Sequence, residues 1–260
     1  MSLLPPAPEP IGIMTTDGVR IASYDHGGDR DRPVVLAVHG FSSNAYSNWV
    51  ATGWVRELDR AGYRVVSFDQ RGHGASDKPH EPASYTMATL VADVQAVLDT
   101  YLLDEVTYVG YSLGGRVGWH AAAALPHLIQ RAVLGGIPDG TPLTRFRIDL
   151  AREYVRTGTP VDDRLTTAYL RMAESFDGND LTALIALVEG MREDAETDPE
   201  NPPQQRVLFA TGSEDPILDA SKRLADVTPL GEFFEIPGRN HFNAPTSRDF
   251  RDRALAFLAS

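Results

Sequence analysis

The residues that most clearly suggest chemistry are a serine enclosed by glycines, in the run Gly110-Tyr111-Ser112-Leu113-Gly114-Gly115. A β-prone segment precedes this run and an alanine-rich, helix-like stretch follows it, which predicts a strand, a turn and a helix. Such a tight turn strains the serine backbone, and glycines flank it because a Cβ would clash there. The turn would expose the Ser112 hydroxyl beside the amides at the start of the helix, so we predict that Ser112 is a nucleophile.

A serine hydroxyl needs a general base at neutral pH, and this base is commonly a histidine held by a carboxylate. Of the 7 histidines, His241 is the best placed, because it follows the last predicted strand. Asp215 follows the preceding predicted strand and is the favoured carboxylate, while Asp139, one strand earlier, is the alternative. The carboxyl ends of parallel strands meet at one edge of a sheet, where Ser112, Asp215 and His241 would come together.

The elements that must position these residues alternate along the chain. A β-hairpin is predicted over residues 11–25, and buried strands then alternate with helices, as is typical of parallel βαβ units. The predicted strands cover residues 33–38, 63–68, 106–109, 131–136, 206–210 and 232–236. The predicted helices of this alternating part cover residues 46–61, 86–101, 116–125, 220–226 and 246–258. The predicted fold class is therefore α/β, with a mostly parallel twisted sheet and helices on both of its faces.

The segment 140–203 interrupts the alternation of strands and helices. It ends in an acidic, proline-rich linker, and it contains three predicted helical stretches without a convincing buried strand, at residues 143–156, 164–176 and 181–192. We interpret this segment as a helical lid insertion over the active edge of the sheet, between two parts of one core, 1–139 and 204–260. The alternative is that its helices simply cover the sheet.

Composition excludes several classes of function. The chain has 260 residues, a formal net charge of −12 and no cysteine, which argues against nucleic-acid binding, disulfides and a thiolate nucleophile. The histidines lack metal-site spacing and no phosphate or dinucleotide motif is present, so we expect no metal and no cofactor. No segment is apolar enough to span a membrane, and the proline-rich residues 1–10 do not resemble a signal peptide, so we expect a cytoplasmic protein with a small-molecule substrate. The oligomeric state is left open.

Five segments together resemble the α/β-hydrolase superfamily, both in their residues and in their order along the chain. They are His39-Gly40-Phe41, Asp69-Gln70-Arg71-Gly72-His73-Gly74-Ala75-Ser76, the Ser112 run, Gly212-Ser213-Glu214-Asp215-Pro216 and Gly238-Arg239-Asn240-His241-Phe242. The chain order serine, aspartate, histidine is also the order typical of that superfamily. The resemblance covers nearly everything from Ile11 onward, and the segment 140–203 corresponds to a lid only in position and size.

The resemblance implies a role for each matched residue. Ser112 would attack a substrate carbonyl, His241 would carry the proton to the leaving group, and Asp215 would orient His241. The backbone amides of Phe41 and Leu113 would form the oxyanion hole. Dehalogenase and epoxide-hydrolase branches place aspartate at the nucleophile, so serine favours the esterase-like branch.

The implied function is hydrolysis of a carboxylic ester with a small or medium acyl group, through an acyl-enzyme. The same three side chains would also suit a lactonase, a thioesterase, an amidase, a carbon–carbon bond hydrolase or a cofactor-free perhydrolase. A ligand receptor that retains the hydrolase pocket is the alternative from a different class. An esterase is preferred only by analogy with the fold.

Several other conspicuous side chains are expected to have structural and not catalytic roles. His39 is expected to orient the oxyanion loop, and Arg71 and His73 to brace the loop after the second parallel strand. Met172 and Met191 are expected to pack between helices rather than to line an acyl pocket. The three tryptophans are expected in the core: Trp49, Trp54 and Trp119.

Overall fold

The computed structural model describes residues 8–141, 143–194, 197 and 200–260. Most of the predicted N-terminal lead and part of the predicted acidic linker therefore lie outside the described residues. Within them, one sheet contains eight strands in the order β1-β2-β4-β3-β5-β6-β7-β8. The strands are β1 (Ile11–Met14), β2 (Arg20–Asp25), β3 (Val34–Val38), β4 (Arg64–Asp69), β5 (Val106–Tyr111), β6 (Ile129–Gly135), β7 (Arg206–Gly212) and β8 (Gly231–Ile236).

The strand directions agree with the predicted α/β class. The predicted hairpin is formed by β1 and β2, which are antiparallel, and β2 is also antiparallel to β4. From β4 through β8 all neighbouring strands are parallel. The predicted mostly parallel sheet is therefore confirmed, and the carboxyl ends of β3 to β8 share one edge.

Helices cover both faces of the sheet, and β3 shows this most directly. All five of its residues are buried; Val34, Leu36 and Val38 face one hydrophobic core, and Val35 and Ala37 face another. The helices on the first face are α2 (Met87–Thr100), α3 (Leu113–Ala124) and α7 (Leu218–Val227). The second face is covered by α1 (Trp54–Arg60) and α8 (Arg248–Leu258). Each tryptophan is buried, as expected, with 1% exposure: Trp49, Trp54 and Trp119.

Two predicted helices differ from the observed ones. The predicted helix over 46–61 is divided into a π-helical turn, Tyr46–Val50, and α1, because Gly53 adopts a left-handed φ of 85° between them. The helix predicted over 143–156 begins only at Ile148, since Leu143 has a φ of 51° and opens a turn instead. In both places a local left-handed residue overrides the helical pattern.

Three helices lie between β6 and β7, in the segment predicted to be helical: α4 (Ile148–Thr157), α5 (Arg164–Glu174) and α6 (Leu181–Asp194). They are attached to loops at the carboxyl edge of the sheet. The Asn179 side-chain amide donates to the Ser42 carbonyl over 3.2 Å, and its oxygen accepts from the Gly74 amide over 3.2 Å. On α6, Gly190 approaches Pro82 so closely that a Cβ would lie 2.1 Å from the Pro82 carbonyl oxygen. Among the described residues, no helix combines the length and hydrophobicity that a membrane span requires.

Candidate active site

Ser112 lies in the turn between β5 and α3 and has a strained backbone, with φ 54° and ψ −112°. The glycines around it are required by close backbone approaches. A Cβ on Gly110 would lie 2.3 Å from the Gly114 carbonyl oxygen, and a Cβ on Gly114 would lie 2.1 Å from the Val38 carbonyl oxygen. The Ser112 amide donates to the Gly135 carbonyl at the end of β6 over 2.7 Å. These contacts hold the strained serine at the sheet edge.

The structure brings together Ser112, His241 and Asp215. Nε2 of His241 lies 2.9 Å from the Ser112 Oγ, and Nδ1 of His241 lies 2.8 Å from Oδ2 of Asp215. The Asp215 side chain is 1% exposed and that of His241 is 17% exposed. The imidazole therefore lies between a buried carboxylate and a hydroxyl, at distances suitable for proton transfer.

Asp139, the alternative acid, has a different partner. Its carboxylate accepts hydrogen bonds from Nε and an Nη atom of Arg223, over 2.8 and 3.1 Å. The carboxylate that contacts His241 is that of Asp215. The structure thus places the favoured aspartate, Asp215, against His241 and the alternative, Asp139, against Arg223.

The loop that carries His241 is held from both sides. The Tyr111 hydroxyl, next to the serine in sequence, donates to the His241 carbonyl over 2.6 Å. The Asn240 side-chain oxygen accepts from the amides of Phe242 and Asn243, over 3.0 and 3.2 Å. The backbone on either side of the imidazole is thus fixed. No pattern in the sequence indicated this role for Tyr111 or Asn240.

Phe41 and Leu113, the two residues whose amides were expected to form the oxyanion hole, line the same cavity as Ser112. The loop after β3 approaches so closely that a Cβ on Gly40 would lie 3.3 Å from Cβ of Ser112. Phe41 is the next residue in that loop, and Leu113 is the first residue of α3. Among the hydrogen bonds of the described residues, none is donated by the amide of Phe41 or of Leu113. Both amides are therefore without a hydrogen-bond acceptor among the described residues.

Two fully buried histidines lie beneath this loop, and both are neutral. Nε2 of His39 accepts from the Gln70 amide over 3.0 Å, so Nδ1 carries the proton and donates to the Gly40 carbonyl over 2.8 Å. Nε2 of His73 accepts from the Ser42 amide over 3.1 Å. Burial lowers the pKa of His39, and it lowers the pKa of His73 well below the ordinary value. Both rings act as fixed supports of the loop.

The loop after β4 is braced as the sequence suggested. Arg71 is 1% exposed and binds the carboxylates of Asp93, over 2.7 Å, and Asp17, over 2.8 Å. Its guanidinium thus connects the β1–β2 turn to α2. Within the described residues, no three His, Asp or Glu side chains are grouped so that they could hold a metal ion.

Ser112 lies between two cavities. The larger has a volume of about 340 Å³ and the smaller about 190 Å³. Five residues line both of them: Phe41, Ser112, Tyr169, His241 and Phe242. The larger cavity continues beneath the helical segment, where Leu165 and Met191 line it, and the smaller one is lined by Met172. Met191 and Met172 pack in or against the hydrophobic core, as expected, and they also line these cavities, which was not expected.

Aromatic side chains cover the serine from the helical side. The ring of Tyr169, on α5, lies 5.3 Å from that of Phe41 and 5.4 Å from that of Phe242. Phe146 lies 6.1 Å from Phe41 and completes the cluster. Tyr169 and Phe146 could not be identified from the sequence, because helical periodicity shows that a face is apolar but not which cavity it lines.

Comparison with known proteins agrees with this fold. The family model of the alpha/beta hydrolase fold matches residues 33–161. The structure of the enol-lactonase from Burkholderia xenovorans superposes with a TM-score of 0.78, covering 96% of this chain and 100% of that chain at 20% identity. The chain therefore has the α/β-hydrolase fold, and residues 33–161 match the model of that family.

Relatives with curated names match only part of the chain. Epoxide hydrolase 4 of Mus musculus is 31% identical over 125 residues, which is 47% of this chain and 33% of that protein. Epoxide hydrolase B of Mycobacterium tuberculosis is 40% identical over 108 residues, covering 41% of this chain and 30% of that protein. The chain thus matches about a third of the length of these relatives.

Proposed function

We propose that the protein is a serine hydrolase that cleaves a carboxylic ester with a small or medium acyl group through an acyl-enzyme. The observation that carries the proposal is the continuous series of contacts from Asp215 through His241 to Ser112, at 2.8 and 2.9 Å. A hydroxyl, an imidazole and a buried carboxylate in this arrangement form an activated nucleophile. The strained turn at Ser112 further supports a catalytic role.

In this mechanism Nε2 of His241 accepts the Ser112 proton while Oγ bonds to the carbonyl carbon of the ester. The negative charge on the carbonyl oxygen is stabilised by the amides of Phe41 and Leu113, each worth on the order of 3 kcal/mol. The tetrahedral intermediate then loses the alcohol, which takes the proton from His241. Water attacks the acyl-enzyme by the same route and releases the acid, and Asp215 holds the imidazole throughout.

The nucleophile residue separates this proposal from the reaction named in the curated relatives. Both relatives described above are named epoxide hydrolases, and the corresponding superfamily branch uses an aspartate where this chain has Ser112. A serine would open an epoxide to a stable ether, which a hydrolytic cycle could not release. A lactone is a cyclic ester and remains a second candidate substrate, favoured by the fold shared with an enol-lactonase.

The cavities support a substrate of modest size. A volume of about 340 Å³ beside Ser112 is near the lower end of the range for small-molecule sites. We assign the segment 140–203 as a helical lid and the parts 1–139 and 204–260 as the hydrolase core. This division rests on the attachment of Asn179 to the Ser42 and Gly74 backbone and on the cavity-lining side chains of α5 and α6.

The proposal is tested with a fluorophosphonate probe and with p-nitrophenyl esters of increasing acyl length. Wild-type protein should be labelled and should hydrolyse the shorter esters. Ser112→Ala should abolish labelling and lower kcat by about 10⁶-fold. Ser84→Ala, a matched change away from the cavities, should behave as wild type. Wild-type protein that is not labelled and cleaves no ester or lactone would contradict the proposal and favour a ligand receptor.

A further inference from the structure

Three consecutive residues in the loop after β3 have amides with different partners. The Gly40 amide donates to Oδ1 of Asn48 over 3.2 Å, and the Ser42 amide donates to Nε2 of His73 over 3.1 Å. The amide between them, that of Phe41, donates none of the hydrogen bonds found among the described residues. Side chains therefore hold both outer amides, and the middle amide is left for another acceptor.

The contacts of the neighbouring peptide groups restrict the orientation of the Phe41 N–H. The Phe41 amide belongs to the peptide group between Gly40 and Phe41. The peptide groups before and after it are the ones whose amides are bound by Asn48 and His73. Because each peptide group is planar, fixing its two neighbours leaves the one between them only a rotation about the line that joins the Cα atoms of Gly40 and Phe41. The hydrogen bond from Nδ1 of His39 to the Gly40 carbonyl, over 2.8 Å, opposes that rotation, so these contacts together set the direction of the Phe41 N–H.

Asn48 accepts the hydrogen bond from the Gly40 amide while its own amide nitrogen remains unpaired among the described residues. It is 6% exposed, and its Nδ2 is buried without a hydrogen-bond partner among the described residues. The Gly40 amide requires an acceptor, so Oδ1 must face Gly40 and the NH₂ group must remain on the other side. An unpaired buried donor is unfavourable, and natural proteins retain such groups mainly at functional sites.

The surroundings of His73 keep its Nε2 unprotonated, so that this atom can accept a hydrogen bond. It is fully buried, and Nδ1 lies 3.2 Å from the Arg71 carbonyl, which fixes the proton on Nδ1 and leaves Nε2 free to accept. The residue that it binds, Ser42, has a φ of 61°, unusual for a residue other than glycine. Such a conformation persists only when the surroundings impose it, and the His73 contact contributes to that.

We propose that Asn48 and His73 are positioning residues that aim the Phe41 amide at the oxyanion formed on Ser112. This inference rests on the proposed hydrolase function. Asn48 lines the smaller cavity, whereas His73 lines neither cavity, and each side chain binds an amide of the loop backbone. Their removal should weaken stabilisation of the transition state more than binding of the ground-state ester.

The test uses Asn48→Leu, His73→Leu and His73→Gln in the full-length protein. Each leucine variant should lower kcat by about 10- to 100-fold, the loss expected from slight misplacement of a catalytic group, with KM changed by less than about threefold. The dissociation constant of phenylboronic acid, whose adduct with Ser112 places an oxygen in the oxyanion hole, should rise by a similar factor. His73→Gln can present an oxygen near the position of Nε2 and should recover most of the activity.

A double variant separates a shared role from two independent ones. If both side chains orient the same amide, combining Asn48→Leu with His73→Leu should lower kcat by less than the product of the single effects. His26→Leu is the matched control, because His26 is also a histidine held in a hydrogen bond, to the hydroxyl of Ser67 over 2.7 Å, but it is only half-buried and lies at the opposite edge of the sheet. It should leave kcat and boronate affinity unchanged.

Thermal unfolding of each variant distinguishes loss of positioning from loss of fold. The inference is overturned if folded leucine variants keep kcat and boronate affinity within twofold of wild type, or if His73→Gln is as impaired as His73→Leu. It is also overturned if the losses follow thermal stability alone. Wild-type protein without any Ser112-dependent labelling would instead overturn the proposed function, and this inference with it.

Discussion

The carboxyl edge of the sheet and the helical segment α4–α6 line the same cavity, but different forces hold them in place. At the sheet edge, positions are set by backbone atoms. The Ser112 amide donates to Gly135, and Gly114 packs against the Val38 carbonyl with no room for a side chain. Backbone contacts of this kind tolerate almost no change in side-chain volume, which suits groups that must stay aligned within a fraction of an ångström.

The helical segment is held mainly by side chains. Rings of Phe146 and Tyr169 pack against Phe41, and Asn179 connects the segment to two loop backbones. Leu165 is only half-buried and faces the larger cavity. Side-chain packing of this kind can accept substitutions that change cavity shape. We therefore expect the sheet edge to provide fixed chemistry and the helical segment to select among substrates.

The largest effect should come from the sheet edge, where Asp215→Asn removes the charge beside His241 and permits the wrong tautomer. We expect kcat to fall by about 10⁴-fold, with the fold intact by circular dichroism. Asp139→Asn is the control and should retain kcat within about threefold, since Asp139 binds Arg223 and not His241. Equal losses in the two variants would show that the carboxylate contacts do not reflect the catalytic roles.

A smaller and more selective effect is expected from the helical segment. Leu165→Trp should partly fill the larger cavity and lower kcat/KM for octanoyl esters by about 10-fold or more, with little change for acetyl esters. Val155→Trp, at a position on α4 that is 42% exposed, should change neither. A Leu165→Trp variant that loses acetyl and octanoyl activity equally would contradict a division between chemistry and selection.

The smallest effect concerns stability at low pH, and it too should distinguish the two regions. Burial lowers the pKa of His26 to about 4 and also lowers the pKa values of His39 and His73. Unfolded histidines bind protons near pH 6.5, so between pH 6.5 and 4 the unfolded state binds more protons than the folded state. Thermal stability should therefore decrease as the pH falls through this window, by several degrees in Tm.

The helical segment should not contribute to this acid sensitivity, because residues 140–203 contain no histidine. His26→Gln should flatten the dependence of Tm on pH, whereas His127→Gln, at an exposed position, should leave its slope unchanged. A Tm that is constant between pH 7 and 4.5 would show that the buried histidines do not remain neutral in the folded state.

Much of the fold could be predicted from the sequence because the relevant signals are local. The turn at Ser112 needs glycines within two residues, and β3 is a continuous apolar run because helices cover both of its faces. The division of the helix predicted over 46–61 could not be foreseen, since Gly53 is compatible with a helix until its surroundings require a left-handed φ. The start of α4 at Ile148 was also not predicted, because the left-handed φ of Leu143 depends on its surroundings.

The candidate site could likewise be predicted from the sequence only in part. Position after a parallel strand was enough to select His241 and to reduce the carboxylates to two, because strand ends meet at one edge. Only the spatial arrangement of the loops decided that Asp215 contacts His241 while Asp139 contacts Arg223. No local signal identified Tyr169, whose neighbours Phe41 and Phe242 are far away in sequence.

The short-range pattern of glycines and apolar residues was therefore sufficient to predict the strands, the serine turn and the class of fold. Each of these depends on backbone sterics and burial over a few residues. Tertiary structure decided which carboxylate faces the imidazole, which amides are left unpaired and which side chains enclose the cavities. These outcomes depend on hydrogen bonds and packing between residues that lie tens to more than a hundred positions apart, such as the contact of His241 with Ser112. Only the folded chain brings such residues within reach of one another.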